Sequence, residues 1–322
     1  MSAVSPGVAG QIGVELSDQG ARIAVASVGD APERLMTVRH ARLEPPVAPD
    51  DVVERIVQLV EETRGTGETA ISRVGVAAWG RVNPAAGVID DTRFGPQWEG
   101  YPLCDRLAAR LGAPVRIATG TRAAARAEAI AGAGAGRSPV LYLHLGRSVT
   151  SALVIDGAPL VGARYDEGRV GHWQTGLDGP RCVCGARGHL EPLVSAQSLI
   201  RLAIGVAADD DVALAAIHRV TGGRAEALTA PQLVTLAGHG VGPLRQLLDV
   251  VTDALSSAIA NLVVTLDPAA VLIGGPLAQG DAVFFDWLRE RVGARLAGVS
   301  APPEIGPAVL GSRGALLGAA LL

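Results

Sequence analysis

The chain has 322 residues, 48% hydrophobic and 19% charged, with net charge −4 and a pI near 5.9, the balance of a globular protein long enough for two domains. No run of five like charges occurs and no apolar run reaches the roughly 18 residues of a membrane helix, so bulk composition recruits neither nucleic acid nor a bilayer. All 28 basic residues are arginine, which excludes a phosphate-loop lysine and Schiff-base chemistry.

The opening MSAVSPGVAG has no basic segment leading into an apolar stretch, so a cytoplasmic location is expected. Next, QIGVELSDQGARIAVASVGDAPERLMTVR alternates apolar and polar residues across turn signals at Ser17 to Gly20 and Gly29 to Pro32, predicting a three-stranded meander. PDDVVERIVQLVEETRG carries an Asp cap and places Val53, Ile56, Val57 and Val60 on one helical face. The strand RVGVAAW, a helix over Tyr101 to Leu111 and the strand PVRIA complete the first half. The pattern restarts at Thr119 with an alanine-rich helix, the linker AGAGAGRSP, two strands (VLYLHLG and TSALVIDG), a Cys/His segment and mostly helix to residue 266. AAVLIGGP reads as a strand ending in a glycine turn, and GSRGALLGAALL as a closing helix. Two related α/β lobes with a cleft between them are expected, over 1–118 and 119–310, with the last helix, about 311–322, free to pack back on the first.

The chemistry-bearing stretch is GHWQTGLDGPRCVCGARGHLE, residues 171–191, which holds two of the chain's three cysteines. His172, Cys182, Cys184 and His189 offer four zinc-competent ligands from one glycine-rich loop, the pattern of a closed structural site. The alternative is a pair of buried thiols beside two unrelated surface histidines. Three cysteines in a reducing compartment speak against a disulfide framework.

GH followed by CVCGARGHLE resembles the signature of the ROK family (repressors, open reading frames, sugar kinases), in which a loop holds zinc through one His and three Cys and a following Glu binds the sugar. Here His189 matches the third family Cys and Glu191 matches the Glu. WEGYPL at 98–103, LDPAAVLIGGP at 266–276 and LGSRGALLGAAL at 310–321 also look like family counterparts, so the resemblance spans almost the whole chain. It implies the two-lobed actin-like and hexokinase-like ATPase (ribonuclease H-like) fold with an inserted zinc loop at 171–191, a structural zinc, a sugar pocket and a homodimer. Family repressors carry a helix-turn-helix domain before the first strand. That strand begins near residue 11 here, so no DNA partner is expected.

The resemblance breaks at the chemistry. Family kinases need an Asp to accept the proton of the sugar hydroxyl as ATP's γ-phosphate transfers. In VRIATGTRAAARAE, Thr119 and Gly120 stand where Asn and that Asp are expected. The first phosphate turn reads Glu15, Leu16, Ser17, Asp18, Gln19 and the second is GRSVTSA at 146–152, neither with the expected Gly and Thr pattern. Only Gly274 and Gly275 keep the adenosine-side turn, and these losses argue against ATP and Mg²⁺ as working cofactors. In the pocket, Arg169 replaces the family's second sugar-binding Glu, and Gly95 the Asn upstream of Trp98. Arg169 suits an anionic sugar derivative or else pairs with Asp166 or Glu167; His172 is a zinc ligand or contacts the ligand itself; Glu191 is a pocket acid or orients the loop. The expected function is therefore a catalytically impaired binding or regulatory protein whose pocket draws on Trp98, Arg169, His172 and Glu191. The alternative is an enzyme: a divergent, glucokinase-like ATP-dependent sugar kinase using Asp90, Asp91, Asp166 or Glu167 as base, or the same fold turned to altered chemistry.

Overall fold

A computed structural model describes residues 10–17, 22–28, 35–44, 47–64, 70–90, 95–176 and 179–322. By internal contacts the chain forms two compact units: Met1–Gly136 with Gly157–Glu167 and Leu310–Leu322, and Arg137–Asp156 with Gly168–Val309.

In the first unit, β1 (Gly10–Ser17), β2 (Arg22–Val28) and β3 (Leu35–Arg42) form the expected antiparallel meander. Helix α1 (Pro49–Arg64) starts with Asp50 and Asp51 against the helix dipole and buries Val52, Val53, Ile56, Val57 and Val60. It leads into β4 (Ile71–Ala78). A two-residue hairpin, β5 (Val82–Asn83) and β6 (Val88–Ile89), precedes α2 (Leu103–Leu111), which ends on Gly112 at φ 64. Strand β7 (Val115–Thr119) runs directly into α3 (Gly120–Ala131), whose N-cap Thr119 accepts from the Arg122 amide at 3.3 Å. The sheet order is β3-β2-β1-β4-β7, with β1, β4 and β7 parallel.

The second unit begins with the hairpin β8 (Val140–Leu145) and β9 (Val149–Ile155). The two-residue strand β10 (Ala158–Pro159) lies in the segment that belongs to the first unit. The Cys/His loop then opens onto α4 (Glu191–Val194), α5 (Ala196–Ala207), α6 (Asp211–Thr221), α7 (Ala230–Gly238) and α8 (Gly242–Leu266). Strand β11 (Ala270–Gly274), helix α9 (Val283–Leu296) and strand β12 (Glu304–Pro307) complete this unit, in which strands run β9-β8-β11-β12. Helix α8 is long and apolar enough to cross a membrane by length and overall composition, although Arg245, Asp249 and Asp253 interrupt its apolar run. Its buried Leu244, Leu248, Val251, Leu255, Ile259 and Leu262 instead make it the central helix of this unit's core.

The closing helix α10 (Gly314–Ala320) packs in the first unit, as expected. Backbone meets backbone there: a Cβ on Gly13 would collide with the Leu316 oxygen, on Gly75 with the Ala319 oxygen, and on Gly318 with the Ala123 oxygen. This seam also moves the boundary anticipated at 118/119. Because α3 packs its alanines against α10, it belongs to the first unit, which therefore runs on to Gly136.

Candidate functional site

The loop after Gly168 gathers all four expected ligands. His172 ends a short 3-10 turn (Val170–His172), and Cys182 and Cys184 lie either side of a turn that brings the Cys182 amide to the Ala186 oxygen at 2.8 Å. Gly188, at φ 72, passes so close to the Gly176 oxygen that a Cβ would collide with it, so only glycine closes the loop there. The ligand atoms all lie within 4.8 Å of one another. His172 Nδ1 and His189 Nδ1 are 3.4 Å apart, Cys182 Sγ is 3.7 Å from His172 Nδ1, and Cys184 Sγ is 3.4 Å from His189 Nδ1. Two imidazoles at about 2.1 Å and two thiolates at about 2.3 Å around a tetrahedral ion give ligand edges of roughly 3.4–3.8 Å. The cluster fits a metal ion in both spacing and donor chemistry, with Nδ1 the ligating atom on each ring.

Glu191 stands at the first position of α4, and its Oε2 accepts from the Val149 amide at 2.9 Å. The carboxylate thus ties the metal loop to the β8–β9 turn, a link between residues 42 apart that spacing alone does not reveal. Arg169 precedes the 3-10 turn bearing His172. Arg169, His172 and Glu191 all fall in the second unit, whereas Trp98 belongs to the first. Trp98 is 0% exposed, and its indole N–H donates to the Val47 oxygen at 3.3 Å. The ligand-facing role expected for Trp98 is therefore corrected: it is a core residue beneath the turn begun by Gly95, which sits at φ 109.

At the head of α3 the first turn holds no acidic residue, and a Cβ on Gly120 would have nothing within 4 Å. The candidate substitute acids are held elsewhere. Asp90 Oδ2 pairs with Arg81 Nη2 at 2.7 Å, and Asp166 Oδ2 lies 3.8 Å from Arg81 Nη1. Glu167 pairs with the Nε of Arg122, whose Nη2 also donates to the Tyr165 oxygen at 3.2 Å. Asp18, Gln19 and Asp91 lie outside the described residues. The Arg122–Glu167 pair is buried and joins positions 45 apart; an arginine within an alanine run carries no sequence signal of it.

The adenosine-side glycines have a reason within the protein itself. A Cβ on Gly274 would collide with the Tyr142 hydroxyl, and Gly275 combines φ 93 with the Leu145 oxygen 2.6 Å from its Cβ position. In the first turn, burial raises the Glu15 carboxyl above its ordinary 4.5, partly offset by Arg22. Burial lowers the His144 imidazole and pushes the Cys104 thiol up to about 12, so Cys104 offers no thiolate near neutral pH.

Comparison with known proteins bears on these residues as a set. The ROK family pattern matches residues 12–322. The chain belongs to the ROK family. It is 30% identical to the glucokinase of Thermotoga maritima over 243 residues, 76% of this chain and 75% of that one. It is 31% identical to the N-acetyl-D-glucosamine kinase of Erwinia tasmaniensis over 237 residues, 70% of this chain and 72% of that one. The ROK hexokinase of Thermus thermophilus superposes with TM-score 0.78 at 26% identity, covering 97% of both chains. The two-lobed actin-like ATPase fold expected from the motifs is that of its ROK relatives.

Proposed function

We propose that this ROK protein binds a sugar or an anionic sugar derivative as a sensing or regulatory protein and transfers phosphate poorly, with a structural zinc bound by His172, Cys182, Cys184 and His189. The observation that carries this reading is the head of α3, where Gly120 replaces a base and the first turn has no carboxylate. General base catalysis contributes about 10²- to 10⁴-fold, so losing it alone suppresses turnover. Arg169 supports the anionic preference, since guanidinium offers only donors in a planar fork suited to carboxylate or phosphate. Glu191, which follows the metal loop and is bonded to the β8–β9 turn at Val149, would hold a hydroxyl.

A divergent sugar kinase is the competing reading, and the 30% identity to a glucokinase favours it. One experiment separates the two: ATP turnover over hexoses and amino sugars, paired with thermal shifts for glucose, glucose 6-phosphate and gluconate. The binding reading expects ligand-dependent shifts, largest for the anions and reduced by Arg169→Glu, with turnover several orders of magnitude below an active ROK kinase. Robust phosphorylation by the unmodified chain would establish the kinase instead.

A further inference from the structure

Among the described residues, one end of the first unit's sheet collects three arginines without side-chain acids between them. Arg73 is the third residue of β4 and Arg116 the second of β7, with Gly75 directly opposite Arg116 in the parallel ladder. Residues two apart on a strand share a face, so Arg73 and Arg116 rise from the face that bears Gly75. That is the face covered by α10, whose Ala319 oxygen would meet a Cβ on Gly75. Helix α3 leaves the far end of β7 and runs back along the same face, its Ala123 packed with Ala77 and Ala319. Arg126, one turn beyond Ala123, arrives where the strands begin. Burial, then repulsion from Arg73 and Arg116, lowers the pKa of the Arg126 guanidinium.

Among the described residues, carboxylate compensation is missing. Arg73 Nη2 donates to the neutral Gln11 Oε1 at 2.9 Å, and Arg116 Nη1 donates to the Leu322 main-chain oxygen at 2.9 Å. Arg126 makes no hydrogen bond or ion pair among the described residues. The Nε atoms of Arg73 and Arg126 are shielded from water with no acceptor. Among the described residues no side-chain carboxylate pairs with any of the three. Arg73 and Arg126 are partly buried and Arg116 is exposed, whereas the similarly or more deeply placed Arg122 and Arg291 have carboxylate partners in Glu167 and Asp249. Unpaired like charges held together cost stability, which a bound anion would return.

We propose that Arg73, Arg116 and Arg126 form a binding site for a phosphate dianion, supplied as orthophosphate or as the phosphate group of a small metabolite. Guanidinium forks drawn from β4, β7 and α3 on one face suit a tetrahedral oxyanion, whereas a single carboxylate would satisfy one fork. The site lies wholly in the first unit and is independent of the ligand reading built on Arg169.

The test is calorimetry and thermal shift with sodium orthophosphate, against sodium chloride at equal ionic strength. The unmodified chain should bind orthophosphate saturably and melt higher with it. Arg126→Met should weaken binding at least about tenfold, the loss expected for charge-assisted hydrogen bonds, and should itself melt higher without phosphate. Arg126→Lys, a milder change, should fall between, keeping the charge but losing the fork. Arg169→Glu should leave the orthophosphate response intact. In that background, glucose 6-phosphate binding more tightly than orthophosphate would identify a phosphorylated metabolite as the source, and equal binding would identify the free ion. No saturable effect beyond chloride, or unchanged affinity in both Arg126 variants, overturns the site.

Discussion

Gly120 shows how far a single position can be read. The family resemblance places it where a base is expected, and the structure adds that the position is open, with nothing within 4 Å of a Cβ. An Asp fits there, removes a helical glycine and faces the positive end of α3. Gly120→Asp should thus stabilise the protein by about 1 kcal/mol in denaturant titrations. On the binding-protein reading turnover should not rise, because the stretches at Glu15 and 146–152 also depart from the Gly and Thr pattern expected of phosphate turns; sugar phosphorylation gained by the variant would show that one carboxylate suffices. Glu15 itself gives a pH signature. Its folded carboxyl titrates above 4.5, so the native state holds its proton more tightly, and stability falls as pH rises from about that value through the raised one. Glu15→Gln lacks this loss and should melt above the parent at pH 7, with the gap closing toward pH 4; a gap independent of pH would contradict the assignment. Other residues were opaque in sequence for a physical reason. The bond from Val149 to Glu191 and the pair of Arg122 with Glu167 join distant positions, and only the fold decides which acid meets which base.

Among the elements, those with one dominant periodicity were legible: the meander, α1, and the buried strands β4, β7, β8 and β11. Helix α9 was not, because Phe284, Phe285, Trp287, Leu288 and Val292 are interleaved with arginines whose stems pack on the same helix and its neighbour α8. The metal loop is the element most exposed to a single change. Its backbone is tied mostly to itself, with the Thr175 and Gly188 amides bonded to the Gly188 and Pro180 oxygens, so a bound ion would supply much of its order. Cys184→Ser should lose zinc and stability together, read by metal analysis of protein purified without added zinc and by its melting temperature. A folded parent protein without metal would refute the site. Acidification should weaken the metal as well, since imidazoles and thiolates bind protons in competition with it.

For the molecule as a whole, the family fold was readable because strand, helix and glycine-turn signals agree along nearly all of the chain, and the matched pattern covers residues 12–322. The division into units was less readable, because contact between α3 and α10 is a matter of glycine and alanine surfaces rather than of any local break in pattern. Homodimer formation, which the resemblance implied, is expected of the purified protein. Light scattering at micromolar concentration should return twice the chain's 32.8 kDa mass, and a monomer would refute it.

The glycine seam beneath α10 also sets a timetable. During synthesis, the strands carrying Gly13 and Gly75 leave the ribosome long before residues 310–322, and the whole second unit is made in between. Until α10 arrives, the sheet face with Ala77 and the facing alanines of α3 lack their cover, so the first unit cannot complete its core while it is being translated. A nascent chain stalled just short of Leu310 should therefore expose that face to proteases and chaperones, and release of the last 13 residues should close it.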